Sequence, residues 1–224
     1  MAPTFRMTTD ASPKFVHLLS VDAFGDQVGV HLSQLSPSTV VLFKQVHEFR
    51  HAASRSWFAI VAASHPVPDI CDRLDELFFQ LEIPWIPVIH EQGGISVGPL
   101  IKPGAGACFG CYCKRLAQHA IDADVIDVVS NFYRRQPGAG PPGFFPPAAS
   151  FAASIIAEIV DLLARGDLSR VALFCRFNFL NFETTAGKVL GIHGCDRCGR
   201  KRNERLRTME QLPNWAAQRK GIAS

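Results

Sequence analysis

The sequence lacks several patterns that mark secreted, membrane or nucleic-acid-binding proteins. Its first residues, MAPTFRMTTDASPK, contain no apolar core, so they do not form a secretory signal. The longest apolar stretch, FAASIIAEIVDLLA, is interrupted by Glu158 and Asp161, so we expect no membrane-spanning segment. A net charge of +3 over 224 residues is too small to indicate a nucleic-acid partner. These absences predict a cytoplasmic protein that binds neither membrane nor nucleic acid.

No internal repeat occurs, and 47% of the residues are hydrophobic, which is enough for one well-buried core. We therefore expect one domain at 14–200, between a short or disordered arm at 1–13 and a basic tail at 201–224. Basic residues are dense around the start of that tail: Arg197, Arg200, Lys201, Arg202, Arg205 and Arg207. They form either a solvated tail or a patch that faces a peptide or a phosphate.

Short apolar runs alternate with helical patterns along the first half of the chain. The predicted buried strands are 14–20, 39–44, 57–64 and 84–91. This order predicts an α/β fold with a Rossmann-like, mostly parallel sheet and helices on both faces. ISVGPLIK predicts a hairpin partner for the last of these strands. Beyond a proline- and glycine-rich crossover from Arg134 to Pro147, which predicts irregular structure, we expect a long helix and strands within SRVALFCRF, FLNFETT and KVLGIH.

Seven cysteines, an odd number, without a secretory signal argue against a disulfide framework. Four of them form two pairs, Cys108-x-x-Cys111 and Cys195-x-x-Cys198, with the spacing of a structural zinc site that has four thiolate ligands.

Other roles for these residues stay open. Cys108 and Cys111 could form a redox couple, although such a pair normally begins a helix and KPGAGACFGC predicts a loop. Cys113 could be a nucleophile, and His193 could replace one thiolate. No H-E-x-x-H spacing occurs, so the sequence does not support a catalytic metal, and we predict no catalytic residue.

The turn after the first strand departs from nucleotide-binding sequences. Where a G-x-G-x-x-G motif has glycines, this chain has Ser20, Asp22 and Gly25. The Asp22 carboxylate would repel phosphates at a helix N-terminus. The second strand ends in Lys44 rather than in a ribose-binding acid. We therefore expect a degenerate nucleotide turn that does not bind ATP.

Several segments resemble the ThiF/MoeB-type superfamily of ubiquitin-activating-enzyme-like adenylation folds. The resemblance rests on the strand and glycine turn, the strand entry IPWIPV, a Cys-x-x-Cys after a hairpin, the helix ASFAASIIAEIVDLL and a final Cys-x-x-Cys. Within it, VGPLIKPGAGACFGCYCKR and VHLLSVDAFGDQVGVHL are similar to the ThiF-like cyclodehydratase component of thiazole/oxazole-modified microcin (TOMM) biosynthesis. The resemblance spans roughly residues 14–200.

The resemblance implies a division of labour between subunits. In such systems a YcaO-type partner uses ATP to cyclise Cys, Ser or Thr residues of a ribosomal precursor peptide into azolines, and a flavin-dependent dehydrogenase can oxidise these to azoles. The ThiF-like component holds the leader peptide, activates the partner and often forms a homodimer. Many members carry an N-terminal winged-helix clasp for the leader, and too few residues precede Lys14 for one here. We therefore expect either a separate leader-binding protein or peptide binding by the sheet edge and the crossover.

The leading interpretation is a zinc-stabilised, non-catalytic ThiF-like subunit of a peptide-modifying cyclodehydratase. Two alternatives stay open. One is an active adenylyltransferase that uses ATP to activate a peptide C-terminus, and the other is a zinc-binding interaction protein outside peptide maturation.

Overall fold

The computed structural model describes residues 15–36, 38–91, 93–119 and 123–199. The predicted arm at 1–13 and the predicted tail at 201–224 lie outside these ranges. Along the described chain the elements are β1 (Phe15–Ser20), α1 (Ala23–Leu35), β2 (Thr39–Phe43), α2 (Val46–Ala52), a 3₁₀ turn (Ala53–Arg55), β3 (Ser56–Ala63), α3 (Pro68–Leu81), β4 (Trp85–Glu91), β5 (Gly94–Val97), α4 (Phe109–His119), α5 (Ala123–Arg135), α6 (Pro146–Ala164), β6 (Leu173–Asn178) and β7 (Thr184–Lys188).

The strands form one seven-stranded sheet in the order β2-β1-β3-β4-β5-β6-β7. Neighbouring strands among β2, β1, β3 and β4 pair in parallel, and β5, β6 and β7 extend the sheet by antiparallel pairing. The α/β, Rossmann-like prediction is confirmed, with the parallel pairings confined to the first half of the chain. The predicted hairpin between β4 and β5 is also present.

Helices cover both faces of the sheet. α1 and α6 pack against each other, while α2, α3, α4 and α5 form a second connected group. Right-handed crossovers require this arrangement, because the chain moves from β1 towards one edge through α1 and from β3 towards the other through α3. The core between the layers consists mainly of aliphatic side chains from β1 and β3 and of large aromatic residues such as Trp85 and Phe78.

By length and composition alone, α6 could cross a membrane. The expectation that no segment could span a membrane is therefore wrong on those two criteria. Its apolar character has an explanation in the fold. One side of α6, from Ala148 to Val160, is buried against α1 and β5. The helix therefore serves as a core helix of the sheet.

Local predictions failed where helices start earlier or end later than the composition suggests. Only Cys108 of the first cysteine pair lies in a loop, because α4 begins at Phe109 and contains Cys111. The crossover is irregular only at 136–145, since α5 extends to Arg135 and Pro146 begins α6. Proline at the first helical positions is favourable because it has no N–H to leave unpaired. Most of KVLGIH lies beyond β7 and forms no strand.

Candidate metal centre and nucleotide crevice

The four predicted ligand cysteines meet at one point. Their sulfur atoms all lie within 4.8 Å of one another, although the two pairs come from distant parts of the chain. The Cys108 and Cys195 Sγ atoms are 3.7 Å apart, and those of Cys111 and Cys198 are 3.5 Å apart. Cys195 is half-buried and the other three are buried. The thiols therefore form one compact and largely enclosed group.

Two turns of the backbone bring these thiols together. Cys108 precedes α4, and its carbonyl oxygen accepts the helical hydrogen bond from the Tyr112 N–H. On the other side, the Gly199 N–H donates to the Cys195 carbonyl oxygen at 2.8 Å and closes the second turn. A Cβ atom on Gly199 would lie 2.6 Å from that same oxygen, so the turn requires glycine there. The Ile192 N–H donates to the Cys111 sulfur at 3.3 Å, as backbone amides do around metal-bound thiolates.

The geometry fits a tetrahedral ion with four thiolate ligands. Zn–S bonds of about 2.3 Å place the sulfur atoms of such a site about 3.8 Å apart. The closest pairs here, at 3.7 and 3.5 Å, match that spacing. Interaction with Cys108 lowers the pKa of Cys198, and the same interaction raises the pKa of Cys108. The cysteine group thus favours a negative charge on Cys198, beside the partially positive N-terminus of α4.

The alternative roles for the neighbouring residues find no support in this geometry. His193 is not part of the four-sulfur group. Desolvation and the nearby carboxylates of Asp72 and Asp75 raise the pKa of the Cys113 thiol to about 12, so it stays protonated at neutral pH. Cys108 and Cys111 do begin a helix, as a redox pair would, but two further sulfur atoms lie against them. The arrangement favours metal binding.

A buried carboxylate ties this cysteine group to the sheet. The Asp75 side chain on α3 is fully buried and forms an ion pair with Arg197, which lies between Cys195 and Cys198. Its other oxygen accepts hydrogen bonds from the Trp85 indole N–H at 3.2 Å and from the Phe109 N–H at 3.3 Å. Burial raises the pKa of Asp75, although the hydrogen bond from Arg197 opposes this change. One carboxylate thus connects α3, β4, the start of α4 and the second cysteine turn.

The second candidate site is the crevice where a nucleotide would bind. In sheets of this kind ligands bind beyond the carboxyl ends of the strands, at the point where the strand order reverses, which here lies between β1 and β3. Asp22 follows β1, and Ser64 and His65 follow β3. The degenerate turn at Ser20, Asp22 and Gly25 therefore does lie at the expected position.

The Asp22 carboxylate occupies the N-terminus of α1. One oxygen accepts hydrogen bonds from the N–H groups of Phe24 and Gly25, at 3.0 and 3.4 Å. The other accepts from the N–H and the hydroxyl of Ser64, at 2.7 and 2.6 Å. Amides at a helix N-terminus are the groups that otherwise bind a phosphate. This side chain satisfies them internally as an N-cap.

His65 completes this polar cluster. Its Nδ1 atom lies 3.5 Å from an Asp22 carboxylate oxygen, and its side chain is 5% exposed. Burial opposes ionisation of Asp22, but the interactions with His65 and Ser64 outweigh burial and lower its pKa to about 2. The nearby Asp22 carboxylate in turn raises the pKa of His65 above its ordinary value. The two side chains form an ion pair under mildly acidic conditions.

The irregular crossover lies over this cluster. The Pro137 carbonyl oxygen is 3.1 Å from His65 Nε2, and Gly140 lies so close to the imidazole that a Cβ atom there would overlap the ring. Phe144 contacts Phe24 of α1 with the ring centroids 5.5 Å apart. The crossover therefore covers the carboxyl ends of β1 and β3.

The remaining predicted positions have structural roles. The Ser20 hydroxyl, which has one proton to donate, lies within hydrogen-bond distance of the Asp22 carbonyl oxygen and of the Asp26 carboxylate. Lys44, at the end of β2, forms an ion pair with Asp26. A Cβ atom on Gly25 would lie 2.8 Å from the Ala62 carbonyl oxygen, so this glycine lets α1 approach β3. Glycine thus occurs where packing needs it and is absent where phosphate binding would need it.

Sequence reasoning did not identify Asp75, Arg197, His65 and Gly140 as parts of these sites. Asp75 and Arg197 are 122 residues apart, and no local motif connects them. An acidic residue among the apolar positions of an amphipathic helix was the available signal for Asp75, since buried carboxylates need partners.

No protein-family model matches the sequence, and no curated protein matches it at a significant level. Solved structures do share the fold. The heterocyclase TruD aligns with a TM-score of 0.60 and 16% identity over 83% of this chain and 27% of its own. E. coli MccB with ATP gives 0.57 and 14% over 83% and 67%, and the E. coli microcin synthetase McbBCD complex gives 0.59 and 11% over 84% and 70%.

The chain thus spans about a quarter of the heterocyclase chains that it matches. At these identities the likeness establishes the fold. The expected resemblance is confirmed at that level: the structural neighbours of this chain are heterocyclase and microcin synthetase components.

Proposed function

We propose that this chain is a non-catalytic, ThiF-like subunit of a peptide-maturation complex that forms azolines from Cys, Ser or Thr. In this proposal it positions a ribosomal precursor peptide and docks a YcaO-type cyclodehydratase, which supplies the ATP chemistry in the cytoplasm. The fold shared with a heterocyclase and with a microcin synthetase complex supports a role in peptide maturation.

The observation that carries the non-catalytic part is the position of Asp22. Its carboxylate already accepts the α1 N-terminal amides and the Ser64 hydroxyl, and its pKa of about 2 keeps it ionised at every physiological pH. A triphosphate would have to displace a fixed negative charge and the crossover residues above it. Both the electrostatics and the steric arrangement oppose ATP binding in this crevice.

The four-cysteine group supports a structural role for zinc. All four positions of a tetrahedral ion are filled by sulfur, so no position is left for water or substrate. Bound zinc would cross-link the start of α4 to the 195–198 turn and contribute its binding free energy to folding. We therefore assign Cys108, Cys111, Cys195 and Cys198 to zinc and assign no catalytic metal.

The open edge of the sheet supports a peptide-binding role. Among the described strands β7 pairs only with β6, so its second edge has backbone groups available for an added strand. Leu180 and Phe182 in the turn before β7 are 80% and 76% exposed. A hydrogen bond of 2.8 Å from the Leu180 N–H to Asn178 Oδ1 orders that turn. We propose that a precursor peptide adds to β7, with a separate protein or a second copy helping to hold its leader and a flavin-dependent dehydrogenase acting downstream.

Isothermal titration of the purified chain with Mg-ATP tests the proposal that the crevice does not bind ATP. We expect no detectable heat at concentrations where E. coli MccB, which has been solved with ATP, serves as the positive control. Micromolar binding by this chain would overturn the non-catalytic assignment. Co-purification with a YcaO-type protein tests the complex, and failure to associate with such a protein or with a precursor would remove the peptide-maturation role.

The second candidate is an adenylyltransferase that activates a peptide C-terminus. The fold shared with MccB favours it, because the MccB structure contains ATP. ATP–pyrophosphate exchange that depends on an added peptide would establish this activity. A zinc-binding protein outside peptide maturation is the third candidate, and it gains support if neither ATP nor a peptide-modifying partner binds.

A further inference from the structure

The irregular crossover at 136–145 lies over the crevice with little burial of its own. Gly140 and Phe144 are half-buried, and the other residues of this segment are exposed. Apart from its chain neighbours, a Cβ atom on Gly138 or Gly143 would have no described residue within 4 Å. A segment with so few buried contacts can open locally at a small cost in free energy. The contacts at its two ends therefore decide whether it stays on the crevice.

His65, which follows β3, holds the first part of the crossover. Its Nε2 atom lies 3.1 Å from the Pro137 carbonyl oxygen, and its Nδ1 atom lies 3.5 Å from an Asp22 carboxylate oxygen. Both oxygens can only accept hydrogen bonds, so each ring nitrogen faces a group that favours an N–H. A neutral imidazole has one N–H and serves one of these oxygens, whereas the imidazolium serves both. The closed crossover therefore favours the charged form of His65.

His90, near the end of β4, holds the other end of the crossover and has the opposite requirement. The Phe145 N–H donates to His90 Nε2 at 3.3 Å. A backbone N–H can only donate, so this hydrogen bond needs the lone pair of a neutral imidazole. Protonation of Nε2 would set two donors against each other and break the bond. The closed crossover therefore favours the neutral form of His90.

Asp22 is the charged group that acts on both histidines. Its carboxylate, with a pKa of about 2, stays ionised at neutral pH and raises the pKa of His65 above the ordinary value of about 6.5. Burial lowers the pKa of His90, although Asp22 opposes this change. Near pH 6.5 a charged His65 and a neutral His90 can thus be present together.

The other polar groups close to these histidines have partners of their own. Tyr133 of α5 packs on His65 with the ring centroids 5.0 Å apart. Asp69, at the start of α3, forms an ion pair with Arg134. Glu91, next to His90, lies 3.6 Å from Arg176 of β6. Asp22 is therefore the carboxylate that both imidazoles share.

We propose that the 136–145 crossover is a pH-sensitive cover of the crevice, closed most firmly while His65 is charged and His90 is neutral. When the pH rises through the folded-state pKa of His65, the remaining N–H stays with the carboxylate and the bond to Pro137 is lost. When the pH falls through the folded-state pKa of His90, the bond from Phe145 is lost. Either change frees one end of the crossover and uncovers the N-terminus of α1.

Hydrogen–deuterium exchange on the full-length, zinc-loaded chain at a series of pH values from about 5 to about 8.5 tests this proposal. Exchange rates are divided by the intrinsic rate at each pH. Protection of 136–145 should be highest near pH 6.5 and should fall about threefold or more towards each end of the series, as expected when one hydrogen bond is lost. Peptides from 109–119, beside the cysteine group, report whether the domain and its zinc site stay intact.

Two variants separate the two ends of the crossover. His65→Gln should remove the decline above pH 6.5, because glutamine does not titrate. His90→Gln should remove the decline below pH 6.5, since the amide oxygen can accept from the Phe145 N–H at every pH. His47→Gln is the matched control at an exposed histidine of α2 and should keep both declines.

Three results would overturn the proposal. One is protection of 136–145 that does not change with pH, and another is a profile that keeps both declines in both variants. The third is a decline shared by 109–119, which reflects unfolding of the whole domain rather than movement of a local cover. The proposal does not rest on the peptide-maturation role, and titration with Mg-ATP gives a separate answer on the non-catalytic assignment.

Discussion

Arg197, between the two cysteines of the second pair, forms an ion pair with Asp75, whose side chain is completely buried in α3. The contact joins the cysteine group to the core of the sheet. Arg197 itself is 31% exposed, so the two partners differ in how easily each could be hydrated if the other were removed. That difference predicts unequal effects of two substitutions.

Arg197→Ala should destabilise the fold by about 3–5 kcal/mol, because it leaves a buried carboxylate without its cation. Asp75→Asn should cost less, about 1–2 kcal/mol, since the amide oxygen still accepts from Trp85 and Phe109 and Arg197 can reach water. Asp75→Asn added to Arg197→Ala should therefore restore part of the lost stability. Urea unfolding of the zinc-saturated variants measures these changes. Equal effects of the two single substitutions would show that the buried charge does not dominate.

Cys195→Ser should weaken zinc binding by at least about tenfold and lower the Tm, because a closed site contributes its binding energy to folding. Cys113→Ser is the control, as Cys113 lies outside the four-sulfur group. Metal analysis should give one zinc per chain for the unmodified protein, and X-ray absorption should show four sulfur ligands. A Cys195→Ser variant that remains fully folded with unchanged zinc affinity would refute the assignment.

The sequence predicts the parts of the fold that depend on local composition. Apolar runs located β1, β3 and β4, and the Cys-x-x-Cys spacing identified the four cysteines whose sulfur atoms lie together. The predicted helix boundaries were less accurate where glycine or proline, which is common in loops, lies next to or within the first turn of a helix. Glycines before Cys108 suggested a loop, although they only form the turn that precedes α4. Prolines at 146 and 147 suggested irregular structure, although they begin α6.

Long-range contacts lay beyond sequence reasoning. The like-charge argument singled out Asp22, but it could not show that Ser64 and His65 lie against the carboxylate or that Gly140 packs on the His65 ring. Serine, histidine and glycine residues such as Ser64, His65 and Gly140 occur at many surface positions, so residue type alone does not place them near Asp22. Only the register of β1 beside β3 brings the two loops together.

His65→Gln should reduce stability in a pH-dependent manner. The folded-state pKa of His65 is raised, so its contribution is fully present below its unfolded pKa of about 6.5 and is lost as the pH rises through the folded value. Asp22, with its pKa lowered to about 2, remains ionised above about pH 4. The substitution should thus cost about 1–2 kcal/mol at pH 5.5 and less at pH 8.5. Urea unfolding at both pH values checks this, with His47→Gln, at an exposed histidine, as the control. A cost that does not change with pH would contradict the ion pair.

Gly25→Ala should destabilise the fold, and Gly29→Ala in the same helix should not. A Cβ atom at 25 would lie 2.8 Å from the Ala62 carbonyl oxygen and from Ser20 Cα, which are backbone atoms that move only if α1 shifts. Such overpacking costs about 1–3 kcal/mol and exceeds the gain of up to about 1 kcal/mol from replacing a helical glycine. A Cβ atom at 29 meets only the end of the Leu42 side chain, which is 41% exposed and free to rotate away. We therefore expect Gly29→Ala to be neutral or slightly stabilising in urea unfolding. If both variants behave alike, close packing of α1 on β3 does not require glycine at position 25.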